Sequence, residues 1–322
     1  MLKKLLIPGT SLRVSEISLG TAPWGSRTPQ ATVTQLYDLY RAAGGNVLDT
    51  AHVYASWLPN GNGASERSIA QLLATRNDRR QIVLVSKGGH PTFEGYPRPD
   101  RYMDPALVRQ DLRESLQRLA VDTIDLYFLH RDDRRVPVGE IIDALNDAVA
   151  DGQIRYFGAS NWSTARMEEA NRYAANLSNA GAEKMGFVAS QPEFSLAHPN
   201  APEPTAEPAN RFLRPADLAW HTQTGMPAFC YTPAAQGYFG SNGQKGAKAF
   251  DNPTSQARLA RAKELAGKLR ATPAQIALAY VRSQPFPAIP IVGTENPQHL
   301  QESLDAANIT LTPDQLTWLT DG

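Results

Sequence analysis

A chain of 322 residues is long enough to bury a large core and suits a closed α/β barrel folding as one domain over residues 1–322. Lysines plus arginines equal aspartates plus glutamates at 32 each, which argues against the basic footprint of a nucleic-acid-binding surface and favours a small, weakly charged partner. A single cysteine, Cys230 in an apolar run, rules out an internal disulfide, and no apolar stretch approaches the ~20 residues that a membrane-spanning helix needs.

The chain opens with KKLLIPGTSLRVSE, two short runs about a Pro-Gly turn. This reads as a hairpin that caps the N-terminal end of a barrel, away from chemistry. Its apolar stretch is too short for the core of a signal peptide, so the expectation is a cytoplasmic protein, monomeric or homo-oligomeric. Strand-like runs then lie near 17–20, 46–49, 82–87, 124–129, 154–158, 187–190, 227–231 and 288–292. Helix-period segments alternate with them at 30–43, 64–75, 105–119, 138–150, 163–176, 215–224, 254–284 and 296–306. Eight strand-then-helix units predict an α/β fold, a (β/α)8 TIM barrel. Asp104-Pro105, Thr272-Pro273 and Thr312-Pro313 each place a capping residue before a proline at a helix start, the last opening a terminal helix. Leu112, Leu116 and Leu119 recur at helical spacing and should face the sheet. Long connections at 55–63, 88–104, 195–214 and 232–253 all leave C-terminal strand ends, the face where barrel active sites form.

Four polar residues stand where apolar runs stop: Asp49 and Tyr54 in NVLDTAHVY, Lys87 in IVLVSKGGH, and His130 in IDLYFLH. On neighbouring parallel strands they would rise from one rim. A free phenol, with a pKa near 10, is a poor acid at neutral pH. A lysine ammonium in hydrogen-bonding reach stabilises the phenolate, and an aspartate beside it keeps the lysine charged. A histidine can donate to a carbonyl oxygen and stabilise the alkoxide that develops. That is the proton-relay half of a carbonyl reduction; the hydride half must come from a cofactor.

At this point the chain resembles the aldo-keto reductases. The matching stretches run nearly end to end: SLGTAPWG at 18–25, NVLDTAHVY at 46–54, GASERSIAQLL at 63–73, VSKGG at 85–89, ESLQRLAVDTIDLYFLH at 114–130, DGQIRYFGASNW at 151–162, ASQPEFSL at 189–196 and IPIVGT at 289–294. The resemblance implies a (β/α)8 barrel that binds a nicotinamide dinucleotide in extended form without a G-x-G-x-x-G loop, and none is present. It also implies Tyr54 as general acid with Asp49, Lys87 and His130 as partners. Ser160, Asn161 and Gln191 match residues that hold the nicotinamide carboxamide, and Tyr231 an aromatic that stacks on its ring. Thr232, Pro233, Ala234, Gln236 and Gly237 match the loop over the pyrophosphate. Gly293 and Thr294 match the loop that holds the adenosine-side phosphate, where a helix N-terminus favours anions; Glu295 and His299 are further cofactor candidates, and the family's adenine-proximal Glu-Asn pair reads Glu302-Ser303 here.

Two departures bear on function. Family members that prefer NADP usually carry Arg or Lys shortly after the Gly-Thr pair, and this chain has Glu295 and Asn296. A carboxylate there would repel a 2′-phosphate and accept bonds from a free 2′-hydroxyl, so NADP(H) and NAD(H) both stay open. The family's YG-x-G-x-SE becomes YASWLPNGNGASE, and the added Trp57 and Asn60 should reshape the substrate mouth. Trp24 is a candidate to stack on substrate, as is His90 to contact it, with His52 and His198 as further loop histidines.

The expected activity is NAD(P)(H)-dependent reduction of an aldehyde or ketone, or the reverse, on a small-molecule substrate; the polar, aromatic loops are compatible with a sugar- or polyol-like carbonyl. No metal is expected. Two other classes compete. One is a different barrel enzyme with a Lys87 Schiff base or a metal on Asp49, His52 and His130. The other is a cofactor-binding sensor or accessory subunit with little turnover.

Overall fold

The computed structural model describes residues 1–59, 61–179, 181 and 184–322. Strands β1 (Lys4–Leu6) and β2 (Arg13–Ser15) pair antiparallel as the expected hairpin. Eight parallel strands follow: β3 (Ser18–Gly20), β4 (Val47–Asp49), β5 (Val83–Gly88), β6 (Ile124–Leu129), β7 (Ile154–Ser160), β8 (Ser190–Gln191), β9 (Ala228–Cys230) and β10 (Ala288–Val292). They pair in sequence order, and β10 closes on β3 to complete the barrel. Helices α1 (Gln30–Ala42), α2 (Ala64–Arg76), α3 (Pro105–Leu119), α4 (Val138–Ala150), α5 (Thr164–Asn179) and α6 (Pro215–Thr224) link the first seven of them. The chain continues through α7 (Ala247–Phe250), α8 (Pro253–Leu269), α9 (Pro273–Arg282), α10 (Pro297–Asp305) and α11 (Pro313–Asp321). Among the described residues no helix is long and apolar enough to cross a membrane.

Side-chain alternation decides what fills the barrel. Val47, Val83, Val85, Leu126, Phe128, Ala189, Phe229, Ile289 and Ile291 form one buried cluster, and Ile7, Leu12 and Val14 of the hairpin join it. The hairpin therefore closes the N-terminal end with apolar surface, as its sequence predicts. The odd-and-even rule then carries upward. Two residues beyond the last apolar one on the same face stand Asp49, Lys87, His130, Gln191 and Tyr231. Gly158 supplies room in this packing, because a Cβ there would come within 2.5 Å of the Phe128 ring and of the Ala189 carbonyl oxygen. Each buried Val, Leu, Ile or Phe in this column contributes on the order of 2 kcal/mol of burial. The opposite strand faces meet the helices: Leu19, Leu48, Leu84, Tyr127 and Leu129 pack with Leu36, Leu112, Leu119 and Ile142, and Leu116 packs against that cluster half-buried.

Two expectations on the elements are corrected. The segment 254–284 is two helices, not one. Arg270 adopts φ 53° and closes α8, and Thr272 starts α9 through a reciprocal cap with Gln275. The run at 187–190 forms a strand only over Ser190–Gln191, since the amide of Phe187 is taken by Asn171 Oδ1 of α5 at 2.7 Å. Because Thr272 both caps α9 and donates to Glu302 Oε1 at 2.5 Å, Thr272→Ala should lower stability by about 1–2 kcal/mol. Urea unfolding should show an earlier midpoint at unchanged slope; an unmoved midpoint would mean the helix boundary does not depend on this cap.

Candidate active site

The strand register sets the stagger of the mouth. Asp49 of β4 lies opposite Val85 of β5, so Lys87 stands one inward step higher. The ladder continues past the strand end: the Thr50 amide donates to Val85 O and the His52 amide to Lys87 O, each at 2.9 Å. A run of turns follows, with the Tyr54 amide on Ala51 O and the Ser56 amide on Val53 O. Tyr54 packs there against a small cluster of Ala51, Val53 and Tyr96.

Lys87 is 1 % exposed and its ammonium has three acceptors. Nζ donates to Asp49 Oδ1 at 2.6 Å, to the Thr50 carbonyl at 2.7 Å and to Tyr54 Oη at 2.9 Å. The second Asp49 oxygen accepts from Gln191 Nε2 at 2.8 Å, so one carboxylate ties β4, β5 and β8 together. The His130 ring lies edge-on to Tyr54 at 6.0 Å between centroids. Its Nδ1 is buried with no hydrogen-bond partner among the described residues. The four residues picked out at strand ends thus converge.

Burial disfavours every charge here, and neighbours decide the outcome. For Lys87 the burial penalty is outweighed by Asp49 and Tyr54, and its pKa is raised. For Tyr54 burial is the largest influence and raises the phenol pKa, against the opposing pull of Lys87. The expectation that Lys87 sets the direction is therefore corrected: the resting phenol is held protonated. His130 is pushed well below its usual value by burial and then by Arg131 and His90. A Schiff-base lysine needs its ammonium destabilised, the reverse of what surrounds Lys87. Among the described residues no three His, Cys, Asp or Glu side chains are grouped to hold a metal ion.

Beside the tetrad runs a groove of about 500 Å³. Its lining includes Asp49, Tyr54, Tyr231, Thr232, Pro233, Ala234, Gln236, Gly237, Gly293, Thr294, Glu295 and Ser303. Thr232, Ala235, Gln236 and Gly237 all take positive φ, and the loop turns on itself, the Ala235 amide donating to Thr232 O and the Gly237 amide to Ala234 O. At the far end Asn296 caps α10, accepting from Gln298 N at 2.8 Å, so the helix N-terminus faces the loop of Gly293–Glu295. The cationic side chains of Arg27 and Lys245 on the groove's lining suit the diphosphate of an extended dinucleotide. Ser160, Asn161 and Gln191 lie behind Tyr231. Asn161 Oδ1 accepts from Tyr231 Oη at 2.7 Å, its Nδ2 donates to Ser160 Oγ at 3.0 Å, and Ser160 Oγ donates to Gln191 O at 2.7 Å. His299 is exposed, and Glu302 turns to Thr272 rather than to the groove.

The substrate candidates divide. Trp57 is 50 % exposed and edge-on to Tyr54 at 6.5 Å, and the His90 ring lies 4.9 Å from that of His130. Both border the mouth. Trp24 does not: it is fully buried in the core with Val33, Leu36 and Ile69, so its indole is a packing residue. His52 is buried behind the site, bonded to Tyr96 Oη at 2.7 Å and Glu114 Oε2 at 2.8 Å. His198 is exposed, with its backbone tied to Ser255 Oγ. Asn60 lies outside the described residues. Three groups escaped the sequence reading. Arg27 lines the groove and pairs with Glu295 at 3.8 Å, Lys245 lines it as well, and Arg131 stands next to His130. Of these only Arg131 had a signal, its place directly after a strand-end histidine.

The architecture agrees with relationships that span nearly the whole chain. The sequence model of the aldo/keto reductase family matches residues 16–321. The uncharacterized oxidoreductase YrpG of Bacillus subtilis is 31 % identical over 318 residues, covering 97 % of this chain and 93 % of the relative. The aryl-alcohol dehydrogenase [NADP(+)] of Phanerodontia chrysosporium is 28 % identical over 345 residues (98 % and 84 %), and protein tas of Escherichia coli K12 is 28 % identical over 337 (96 % and 94 %). The chain belongs to the aldo/keto reductase family and is an NAD(P)H-dependent oxidoreductase.

Proposed function

We propose that this oxidoreductase reduces an aryl aldehyde or ketone to the alcohol, or runs the reverse, with Tyr54 as general acid and base. The observation that carries the reading is one buried ammonium, Lys87 Nζ, shared between Asp49 and Tyr54. The groove would hold a nicotinamide dinucleotide, whose chemistry would be hydride supply. Ser160, Asn161 and Gln191 would hold its carboxamide, Tyr231 would stack on its ring, and the backbone of residues 232–237 would cradle its diphosphate. Tyr54, protonated at rest, gives its proton to the carbonyl oxygen as charge develops there. Lys87 stabilises the phenolate left behind, and Asp49 and the Thr50 carbonyl hold the ammonium in place. His130, neutral, offers an N–H to the same oxygen. Trp57, His90 and Phe93, in edge contacts around Tyr54 and His130, form an apolar rim suited to a flat ring. A relative named for aryl alcohols supports that choice.

NADP(H) is the cofactor this reading favours. Glu295 would repel a 2′-phosphate if it stood alone, but Arg27 brings a guanidinium to the same corner of the groove. Their exposed pairing, with side chains 68 % and 43 % accessible, is worth little, so a phosphate can compete for Arg27.

Three outcomes test the proposal. Tyr54→Phe should keep cofactor affinity, read by fluorescence titration, and lose ~10²-fold or more in turnover of a benzaldehyde. Turnover near wild type would mean the acid is misassigned, and tight cofactor binding with no carbonyl reduced by the wild type would mark an accessory protein. Reduction should carry no inflection between pH 6 and 8. The lowered pKa of His130, and of His90 at about 4, keeps both imidazoles neutral throughout, while the raised pKa keeps Tyr54 protonated; a limb near pH 6.5 would contradict that. Arg27→Ala should weaken NADP(H) binding relative to NAD(H) by about tenfold, and Glu295→Arg should shift the ratio the other way; equal dissociation-constant ratios in all three proteins would reject the assignment.

A further inference from the structure

Resting on the aryl-carbonyl reading, we propose that Arg98 is a positioning residue, which clamps the loop after β5 so that His90 and Phe93 are held in place at the substrate rim. The loop leaves the strand that carries Lys87. It brings the His90 ring to 4.9 Å from that of His130, with the Phe93 ring 5.5 Å behind it. Arg98 lies off the mouth, with only 9 % of its side chain exposed and its guanidinium 4.3 Å from the centre of the Tyr96 ring.

The rim turn has few ties of its own. Phe93 and Tyr96 bond to each other, amide to carbonyl, at 3.2 and 2.9 Å, and their rings stack 5.5 Å apart. Gly95, at φ 86°, lets the turn press on the neighbouring loop, because a Cβ there would come within 2.5 Å of the Ser56 carbonyl oxygen. Among the described residues, the hydrogen bonds from 90–97 to the rest of the chain all run through Tyr96 Oη. Whatever fixes that oxygen therefore fixes the rim.

Tyr96 Oη is held from two sides. Arg98 Nη2 donates to it and to Asp111 Oδ1 of α3, each at 2.5 Å. On the other side His52 Nδ1 lies 2.7 Å away, and His52 Nε2 lies 2.8 Å from Glu114 Oε2. A guanidinium can only donate and a carboxylate only accept, so the directions follow: Arg98 to Tyr96, Tyr96 to His52 Nδ1, and His52 Nε2–H to Glu114. His52 is then neutral, in keeping with a pKa that burial lowers to about 3. Buried Asp111 also accepts from the Gly89 amide at 2.9 Å, which ties α3 to the end of β5. Charge-assisted bonds at both ends of this chain make it strong and directional. None of its side chains bonds to the side chain of Asp49, Tyr54, Lys87 or His130, so loosening the clamp should spare the proton relay.

The test uses Arg98→Met/Asp111→Asn, which removes both buried charges together and leaves an oxygen for the Gly89 amide, so the fold should survive. In this protein KM for benzaldehyde should rise about tenfold, while kcat, cofactor affinity and KM for acetaldehyde, too small to span the rings, stay within about twofold. Arg98→Lys, which keeps a cation opposite Asp111, should recover part of the loss. Equal losses with both aldehydes, or none with either, would overturn the assignment. Amide hydrogen exchange separates the clamp from the reductase reading, because it needs no turnover. Residues 89–98 should exchange about tenfold faster in the double variant, with β5 and β6 unchanged. That result supports the clamp even if no aldehyde is reduced, an outcome that would count against the reductase reading instead. Unchanged exchange, or an equal rise across the barrel, rejects the clamp.

Discussion

One ammonium group, almost sealed from solvent, sets the terms for the rest of this site. Burying a lone charge of that kind is prohibitively unfavourable, so Lys87 is stable at the top of the barrel only while Asp49, the Thr50 carbonyl and Tyr54 surround it. The dependence runs both ways. Asp49, itself 1 % exposed, has its two oxygens held by Lys87 and by the amide of Gln191, on the far side of the barrel. Removing Asp49 or Lys87 would leave the other as a buried charge without compensation. The polar layer therefore behaves as a unit, and its geometry is fixed by strand register and not by mobile loops.

That unit can exist because the barrel below it is dry. The inward column is aliphatic or aromatic on every strand that supplies a site residue, and the hairpin plugs its lower end with Ile7, Leu12 and Val14. Phe128 fills the centre because β7 yields space at Gly158. A wetter or looser interior would solvate Lys87 and weaken its hold on the phenol. Core packing and site electrostatics are in this sense one property: the apolar column sets the low polarity in which a single lysine can direct a proton transfer.

How much of this can be read from sequence follows from how local each feature is. Strand ends are local, and a run such as IVLVSK announces both the strand and the residue that crowns it, so Asp49, Lys87 and His130 are legible one strand at a time. Caps are equally local: Thr272 and Thr312 with glutamine three residues on mark α9 and α11. The single helix expected at 254–284 failed because helical periodicity runs through the break, and the left-handed turn at Arg270 uses no glycine or asparagine to announce it. Trp24 misled for the opposite reason. Its neighbours belong to a loop near the mouth, yet the indole turns inward to fill the core. The Arg27–Glu295 pair was invisible because its partners come from opposite ends of the chain and meet only when β10 closes on β3. The direction of the Tyr54 shift was also beyond reach, since it depends on how deeply the phenol is buried, a property of the whole fold.

The electrostatics of the mouth then divide labour between groups that titrate and groups that do not. Depth of burial keeps His130 and His90 neutral and Tyr54 protonated, so the groups nearest the reacting oxygen are donors without net charge. Positive charge sits one step back, on Lys87 behind the phenol and on Arg131 beside the histidine. A neutral substrate oxygen meets neutral donors on arrival and meets the field of fixed cations only as it gains negative charge. Such an arrangement binds the ground state modestly and the charged transition state more strongly, which is the condition for raising a rate and not merely an affinity. The same reasoning explains why the histidine must be buried: an imidazolium in its place would add a third positive charge, compete with Lys87 for the phenolate, and undo the stability of the ammonium on which the layer rests.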